Sequence, residues 1–237
     1  MDSDDDQPTL SAHALAALAE FNAEKDERAK RFEKLKAAAE ADGPLSMDAF
    51  TEDWNESQFW YADETAKVVA SQLLEGATPD KTICIMSAPS AFVAVKNSLR
   101  SVNEADRPKL ILLEHDERFA VFPEYQFYDF QQPFNLPAEM KGVVDAIMCD
   151  PPFLSEDCQT KFAMTARWLL KPKPSKATSK GPRVTLCTGE RMQPLVLKLF
   201  QPFGVRTTTF EPKHARGLSN EFLFYANFEC SDWKFRG

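Results

Sequence analysis

Val143-Val144-Asp145-Ala146-Ile147-Met148-Cys149-Asp150-Pro151-Pro152-Phe153 decides the architecture. An apolar run of this length that ends abruptly in a carboxylate reads as a buried strand. It delivers Asp150 to the carboxyl edge of a sheet, where open α/β folds bind ligands. Pro151 and Pro152 then stop the ladder and restrict the backbone. Proline has no N–H, so this turn offers carbonyl oxygens and few donors. A carboxylate, acceptor carbonyls and the ring of Phe153 together suit gripping a nitrogen that carries hydrogens.

Outward from this stretch, strands and helices alternate. Residues 82–86 and 110–113 read as strands upstream, and residues 125–128 as a short third. Between the first two runs a helix from Ser90, with Phe92, Val95, Leu99 and Val102 inward. Asp63 is expected to cap a helix carrying Ala66, Val69, Ala70 and Leu73 on its apolar face. Downstream, Ser155 is expected to cap a helix with Cys158, Phe162, Ala166 and Leu169 on one face. Residues 183–187 read as a fifth strand, and 192–200 as mostly helical despite Pro194. Two closing strands, near 205–210 and 221–228, have no helix between them. Alternation predicts a parallel sheet, and the helix-free pair predicts an antiparallel hairpin at one end.

At the N-terminal side, residues 1–8 are acidic and read as a tail without structure. Residues 10–41 read as a helix with Ser11 as N-cap and a narrow apolar stripe of Leu10, Ala14, Leu18 and Phe21. Its second half is densely charged, and i,i+4 pairs are expected to support it. Residues 1–50 are therefore an acidic tail with a helical extension, and 51–237 form the α/β domain. Residues 171–182 are a basic, proline-rich loop whose composition forbids a packed core.

With 237 residues, 43% hydrophobic residues and 19 Phe, the chain can bury one α/β core of ordinary size. The net charge of −8 argues against tight nonspecific nucleic-acid binding, which needs a basic surface to displace counterions. It is compatible with a basic protein partner. The five cysteines include no Cys-x-x-Cys pair, and Cys84, Cys149 and Cys187 lie in strand-like runs, which reads as buried free thiols. His13, His115 and His214 are far apart, so no metal site is expected. The N-terminus has no apolar signal core, and no stretch is long enough to cross a bilayer, so a cytoplasmic location is expected.

Three further features surround the Asp150 turn. Ser87-Ala88-Pro89-Ser90 follows the first strand with small residues but no Gly-x-Gly-x-x-Gly, so it lacks a pyrophosphate cradle. Glu114 closes the second strand, where a carboxylate can accept from both hydroxyls of a ribose. Asp116 is the alternative for that role, but capping the next helix suits it better. Asp129, after the third strand, is suited to accept from an adenine amino group. Asp53 to Tyr61 is rich in aromatic residues, among them Trp54, Phe59, Trp60 and Tyr61; Trp60 and its neighbours are expected to close over a cofactor, with core packing an equal alternative for Phe59. Lys213, His214 and Arg216 fit a solvated hairpin turn better than a substrate contact.

The order turn, acid, acid, Asp-Pro-Pro-Phe carries an amino-methyltransferase signature. The chain resembles the lysine N-methyltransferases of elongation factor 1-alpha, a family once classed with N6-adenine methyltransferases. The likeness rests on Leu10-Ser11-Ala12-His13-Ala14-Leu15, Ser57-Gln58-Phe59-Trp60-Tyr61, Glu114-x-Asp116-x-Arg118-Phe119, Leu154-Ser155-Glu156, Leu186-Cys187-Thr188-Gly189 and Pro212-Lys213-His214. The resemblance implies a Rossmann-like, seven-stranded class I methyltransferase sheet and S-adenosyl-L-methionine as cofactor. It implies Asp150, Pro151 and Phe153 as catalytic residues, and Trp60, Tyr61, Ser87, Glu114 and Asp129 as cofactor-binding residues. The expected substrate is elongation factor 1-alpha, acted on by a monomer with no stable nucleic-acid partner and no membrane. The alternative is an N6-adenine nucleic-acid methyltransferase, which needs the same acceptors and an aromatic stack but also a basic recognition face.

Overall fold

The computed structural model describes residues 11–50, 52, 58–172, 181–217 and 221–237. The acidic stretch 1–10, Trp54 and Ser57, residues 173–180 of the basic loop and Asn220 lie outside the described residues. Two compact units divide the chain, one ending at Phe50 and the other beginning at Thr51.

In the first unit, α1 spans Ala12–Glu40 and Ser11 caps it by accepting from the Ala14 N–H. The helix stops in a Schellman turn. Asp42 takes the left-handed conformation at φ 49°, and the Gly43 N–H reaches back to the Ala38 carbonyl. Leu15, Leu18 and Phe21 remain exposed on α1. The charged half carries an i,i+3 pair, Lys30 with Glu27.

The second unit is one seven-stranded sheet. Its strands are β1 (Thr82–Met86), β2 (Lys109–Glu114), β3 (Tyr125–Phe127), β4 (Ala146–Cys149), β5 (Arg183–Gly189), β6 (Arg206–Thr207) and β7 (Phe222–Ala226). Their spatial order is β3-β2-β1-β4-β5-β7-β6. The first five run parallel, and β7 lies antiparallel between β5 and β6. This is the Rossmann-like class I methyltransferase sheet that the resemblance implies.

Side chains alternate across the strands, so each face of the sheet receives its own helices. Cys84, Met86, Ile147, Cys149, Val184 and Leu186 join Phe162, Ala166 and Leu169 of α4 (Glu156–Leu169) and Val196 of α5 (Gln193–Phe200) in one core. The opposite face meets α2 (Asp63–Leu74) and α3 (Pro89–Leu99), which pack on each other. All five cysteines are free and four are buried.

Several boundaries move from the sequence reading. Ala62 occupies the N-cap of α2, and Asp63 is its first helical residue, where its charge still suits the helix dipole. α3 ends at Leu99, so Val102 lies outside it in a turn. β4 begins at Ala146, not Val143. Asp145 carries the start of the sheet instead, its carboxylate accepting from the Thr82 N–H and from Lys81 and Lys171. Those cations hold its pKa below the usual value although burial opposes them.

The sheet order reverses beside β1, where β2 lies on one side and β4 on the other. Such a switch point opens a crevice at the carboxyl ends of the strands. Ser87, Glu114, Asp129 and Asp150 all stand at or just beyond those ends.

Candidate active site

A cavity of about 640 Å³ fills this crevice. It is large enough for a nucleoside-sized ligand with an acceptor side chain beside it. Of the residues singled out from sequence, Phe59, Trp60, Ser87, Glu114, Asp129, Asp150, Pro151 and Phe153 line it, so Phe59 takes the cavity alternative rather than the core. Tyr61 does not; it stands behind the wall.

The wall under β1–β3 is pre-tied. Ser87 leaves β1 with φ 54°, a left-handed conformation that a non-glycine residue adopts at a cost of roughly 1–2 kcal/mol. Its N–H holds the Leu113 carbonyl, which fixes the turn against β2. Glu114 is 95% buried, with only 5% exposure left for a ligand to reach. Its Oε1 accepts from the N–H groups of His115 (2.9 Å) and Asp116 (3.2 Å), and Oε2 has no hydrogen-bond partner among the described residues. Burial pushes its pKa up to about 7, against the pull of those two N–H groups. Asp129 accepts from the Gln131 N–H at 2.8 Å. Asp116 caps the turn Glu117–Val121, pairs with Arg118 at 2.5 Å and accepts from Gln58 at 3.0 Å. Burial favours its neutral form, but the bonds from Arg118 and Gln58 prevail and its pKa falls. Asp116 is thereby a scaffold residue, and Glu114 is the free acceptor.

The wall at β4 differs. The Asp150 N–H is anchored on the Met86 carbonyl at 3.0 Å. The Asp150 carboxyl and the Pro151 carbonyl accept no well-formed hydrogen bond from the described residues. Burial lifts the Asp150 pKa to about 7; the neighbouring Glu114 charge adds to this, and the Tyr61 hydroxyl opposes it. The turn after Asp150 is braced from below. Gln159, 1% exposed, donates to the Phe153 carbonyl (3.3 Å) and to Thr188 Oγ1 (2.9 Å). Arg191 donates to the Leu154 carbonyl at 2.9 Å. The Phe153 ring sits 5.7 Å from Phe130, giving the cavity an aromatic side.

A short strap closes the third side. The Ala62 N–H donates to the Lys213 carbonyl (2.9 Å) and the Ala215 N–H to the Trp60 carbonyl (2.8 Å), bracketing an antiparallel bridge between Tyr61 and His214. Glu52 accepts from the Trp60 N–H and pairs with Arg216. Lys213 and Arg216 are exposed and ion-paired, as a surface turn should be. His214 corrects the solvated-loop reading: it lines the cavity, with its ring 5.4 Å from Tyr61 and 4.7 Å from Phe222. Burial depresses its pKa to about 4, so it presents a neutral ring. Sequence reasoning also missed Arg191, His115 and Phe222 as wall residues. His115 had a signal in its place directly after Glu114; Phe222 reaches the wall through pairing with Gly189, and Arg191 from the turn that follows β5.

One ligand subsite thus offers a carboxylate oxygen for a diol, and the adjoining one offers only acceptors and rings around Asp150. Fold and site define a class I methyltransferase built for an amino acceptor. A family model described as probable N6-adenine methyltransferase matches residues 52–230. Protein-lysine N-methyltransferase EFM5 of Saccharomyces cerevisiae is 45% identical over 96% of this chain and 94% of its own length. EEF1A lysine methyltransferase 1 of Gallus gallus is 39% identical over 96% of this chain and 97% of its own. A branched-chain polyamine synthase from Thermus thermophilus shares the fold, with a TM-score of 0.53, 11% identity, and coverage of 87% of this chain and 67% of that one. The chain belongs to the elongation factor 1-alpha lysine methyltransferase family and is a protein-lysine N-methyltransferase.

Proposed function

We propose that the chain transfers a methyl group from S-adenosylmethionine to a lysine of translation elongation factor 1-alpha. The observation that carries the reading is a half-buried acid beside an unpaired carbonyl, Asp150 and Pro151, in one cavity with the free oxygen of Glu114. The relatives named above support the choice of substrate.

The residues fit the cofactor. Glu114 Oε2 is a deep, unpartnered acceptor suited to a ribose diol, and Asp129 and the Trp60 ring complete a nucleoside-sized pocket. S-adenosylmethionine, when bound, supplies an electrophilic methyl on a positive sulfonium; the N–C bond forms as the C–S bond breaks and its electron pair returns to sulfur.

The chain's own work is positional. A free lysine has a pKa of about 10.4, so it arrives protonated. The Asp150 anion by itself would favour the ammonium, while burial between Phe153 and the other rings favours the amine. Asp150 and the Pro151 carbonyl hold the nitrogen's hydrogens and turn its lone pair to the methyl. Phe153 packs on the lysine stem. A net charge of −8 helps a basic protein approach and repels a polyanion. On this reading the enzyme works as a cytoplasmic monomer with no stable nucleic-acid partner.

Incubating the enzyme with labelled S-adenosylmethionine and purified elongation factor tests the proposal. Label on a single lysine peptide, lost to protease and retained after nuclease, supports it. Equal or greater labelling of adenine in an oligonucleotide would favour the nucleic-acid reading that the family model's description carries.

A further inference from the structure

We propose that Tyr61 is a positioning residue for methyl transfer: its hydroxyl donates to the Asp150 carboxylate and holds one oxygen, leaving the other to the substrate nitrogen. This rests on the assignment of Asp150 as the amine acceptor.

The backbone leaves Tyr61 little freedom. Its N–H is bonded to Ser90 Oγ at 3.1 Å, its place on the strap is fixed by the bridge to His214, and the residue is 4% exposed. Its hydroxyl is fully buried yet makes no well-formed hydrogen bond. Leaving such a group unpaired is costly, so a buried hydroxyl beside a carboxylate gains by donating to it. Two groups lie close enough to act on it, the Asp150 carboxyl and the Cys187 thiol, and burial with these neighbours keeps the phenol protonated. A thiol is a weak acceptor. The carboxylate is the strong one, and no other described side chain donates to it.

The groups facing Asp150 can be named element by element. Tyr61 comes from the strap, Glu114 from β2, Cys187 from β5 and Cys149 from its own strand. His214 stands beyond Tyr61 as a neutral ring. Glu114 disfavours the Asp150 anion, the thiols stay protonated because burial raises both, and Tyr61 is the one neighbour that stabilises the charge. A protonated Asp150 would have one fewer acceptor for the amine, so the phenol also selects the working ionisation state. Tyr61 lies outside the cavity wall, which separates this role from cofactor contact.

Tyr61→Phe removes the donor and keeps the ring. The readouts are the pH profile of kcat at saturating substrates and the donor's Kd by calorimetry. We expect kcat at pH 7 to fall about 10- to 100-fold, as for a hydrogen bond to a charged group. The acid limb should move up by about one pH unit, because the carboxylate loses its stabilising donor. Donor affinity should change less than about twofold. Cys187→Ala should leave the limb where it is. A Tyr61→Phe enzyme with the wild-type limb and kcat overturns the proposal, and so does weaker donor binding with the limb unmoved. Should the phenylalanine variant lose its fold, 3-fluorotyrosine at position 61, a stronger donor, should move the limb down; an unmoved limb again overturns it. Asp150→Asn separates the two ideas. If that variant is dead while Tyr61→Phe is normal, only this inference fails; if it stays active, the assignment beneath it fails.

Discussion

At the ends of β2 and β3 each carboxylate gives an oxygen to its own turn: Glu114 to the N–H groups of His115 and Asp116, Asp129 to that of Gln131. At the end of β4 the pattern inverts. Among the described residues nothing makes a well-formed bond to the Asp150 carboxyl, the buried Tyr61 hydroxyl has no partner, and His214 is neutral by burial. One half of the cavity is thus pre-organised for a ligand that always binds the same way. The other keeps the Asp150 carboxyl under-satisfied, with an unpaired phenol behind it, so that the carboxyl's best partner arrives with the substrate. Unsatisfied groups lower stability by about 1–3 kcal/mol each, a cost that a functional site can justify.

The strongest test of this contrast is Asp150→Ala. If the β4 half works on the reacting atoms, turnover should fall by two or more powers of ten, the scale of lost positioning. Binding of the donor, held by the other half, should stay within about threefold. Single-turnover rates and calorimetry measure the two separately. More than about a tenth of wild-type turnover would erase the distinction.

Glu114→Ala is the mirror experiment, with a smaller effect on a different quantity. Losing charged hydrogen bonds to a diol should weaken donor binding by roughly 1.5–3 kcal/mol, about 10- to 150-fold. The rate at saturating donor should change far less. Unchanged affinity by calorimetry would hand the role to Asp116, against its commitment to Arg118 and Gln58.

Local signals served the first half of this cavity well. β1 is continuous apolar sequence bounded by polar residues, and its limits match residues 82–86. Ser11 and Ser155 cap α1 and α4 as read, because an N-cap is a contact over three residues. Glu114 and Asp116 separate into acceptor and cap for the same local reason. The β4 half was legible only as far as Asp-Pro-Pro-Phe. Tyr61 was read as a cofactor residue, yet its surroundings depend on a bridge to His214, and no periodicity reports pairing across that separation. β5 runs two residues past its apolar core, to Gly189, because β7 pairs with it there. The start of β4 shifted because Asp145 serves β1 and two lysines, a long-range bond that an apolar run conceals.

The smallest expected effect probes how tightly the β4 half is held. Gly189 ends β5 at φ −61° and ψ 143°, a conformation open to any residue, so its lack of a side chain matters only sterically. A Cβ there would lie 2.8 and 2.9 Å from the two Leu154 methyls. Leu154 follows directly on the Asp150 turn and lines the cavity, and its carbonyl is pinned by Arg191. With the carbonyl of Phe153 held by Gln159 as well, the half-buried leucine side chain must turn aside into the cavity it lines or push on the turn. Gly189→Ala should therefore cost about 1–3 kcal/mol of stability through overpacking. It should slow turnover by roughly 3- to 10-fold by displacing the acceptors a fraction of an ångström. Donor affinity, set on the far wall, should not move. Leu154→Ala in the same chain removes the clashing methyls, so the double variant should recover much of the loss in rate that Gly189→Ala alone inflicts. A double-mutant cycle on kcat and melting temperature measures that coupling. Strictly additive effects would mean that the turn has slack, and the contrast between the two halves would then rest on their polar groups alone.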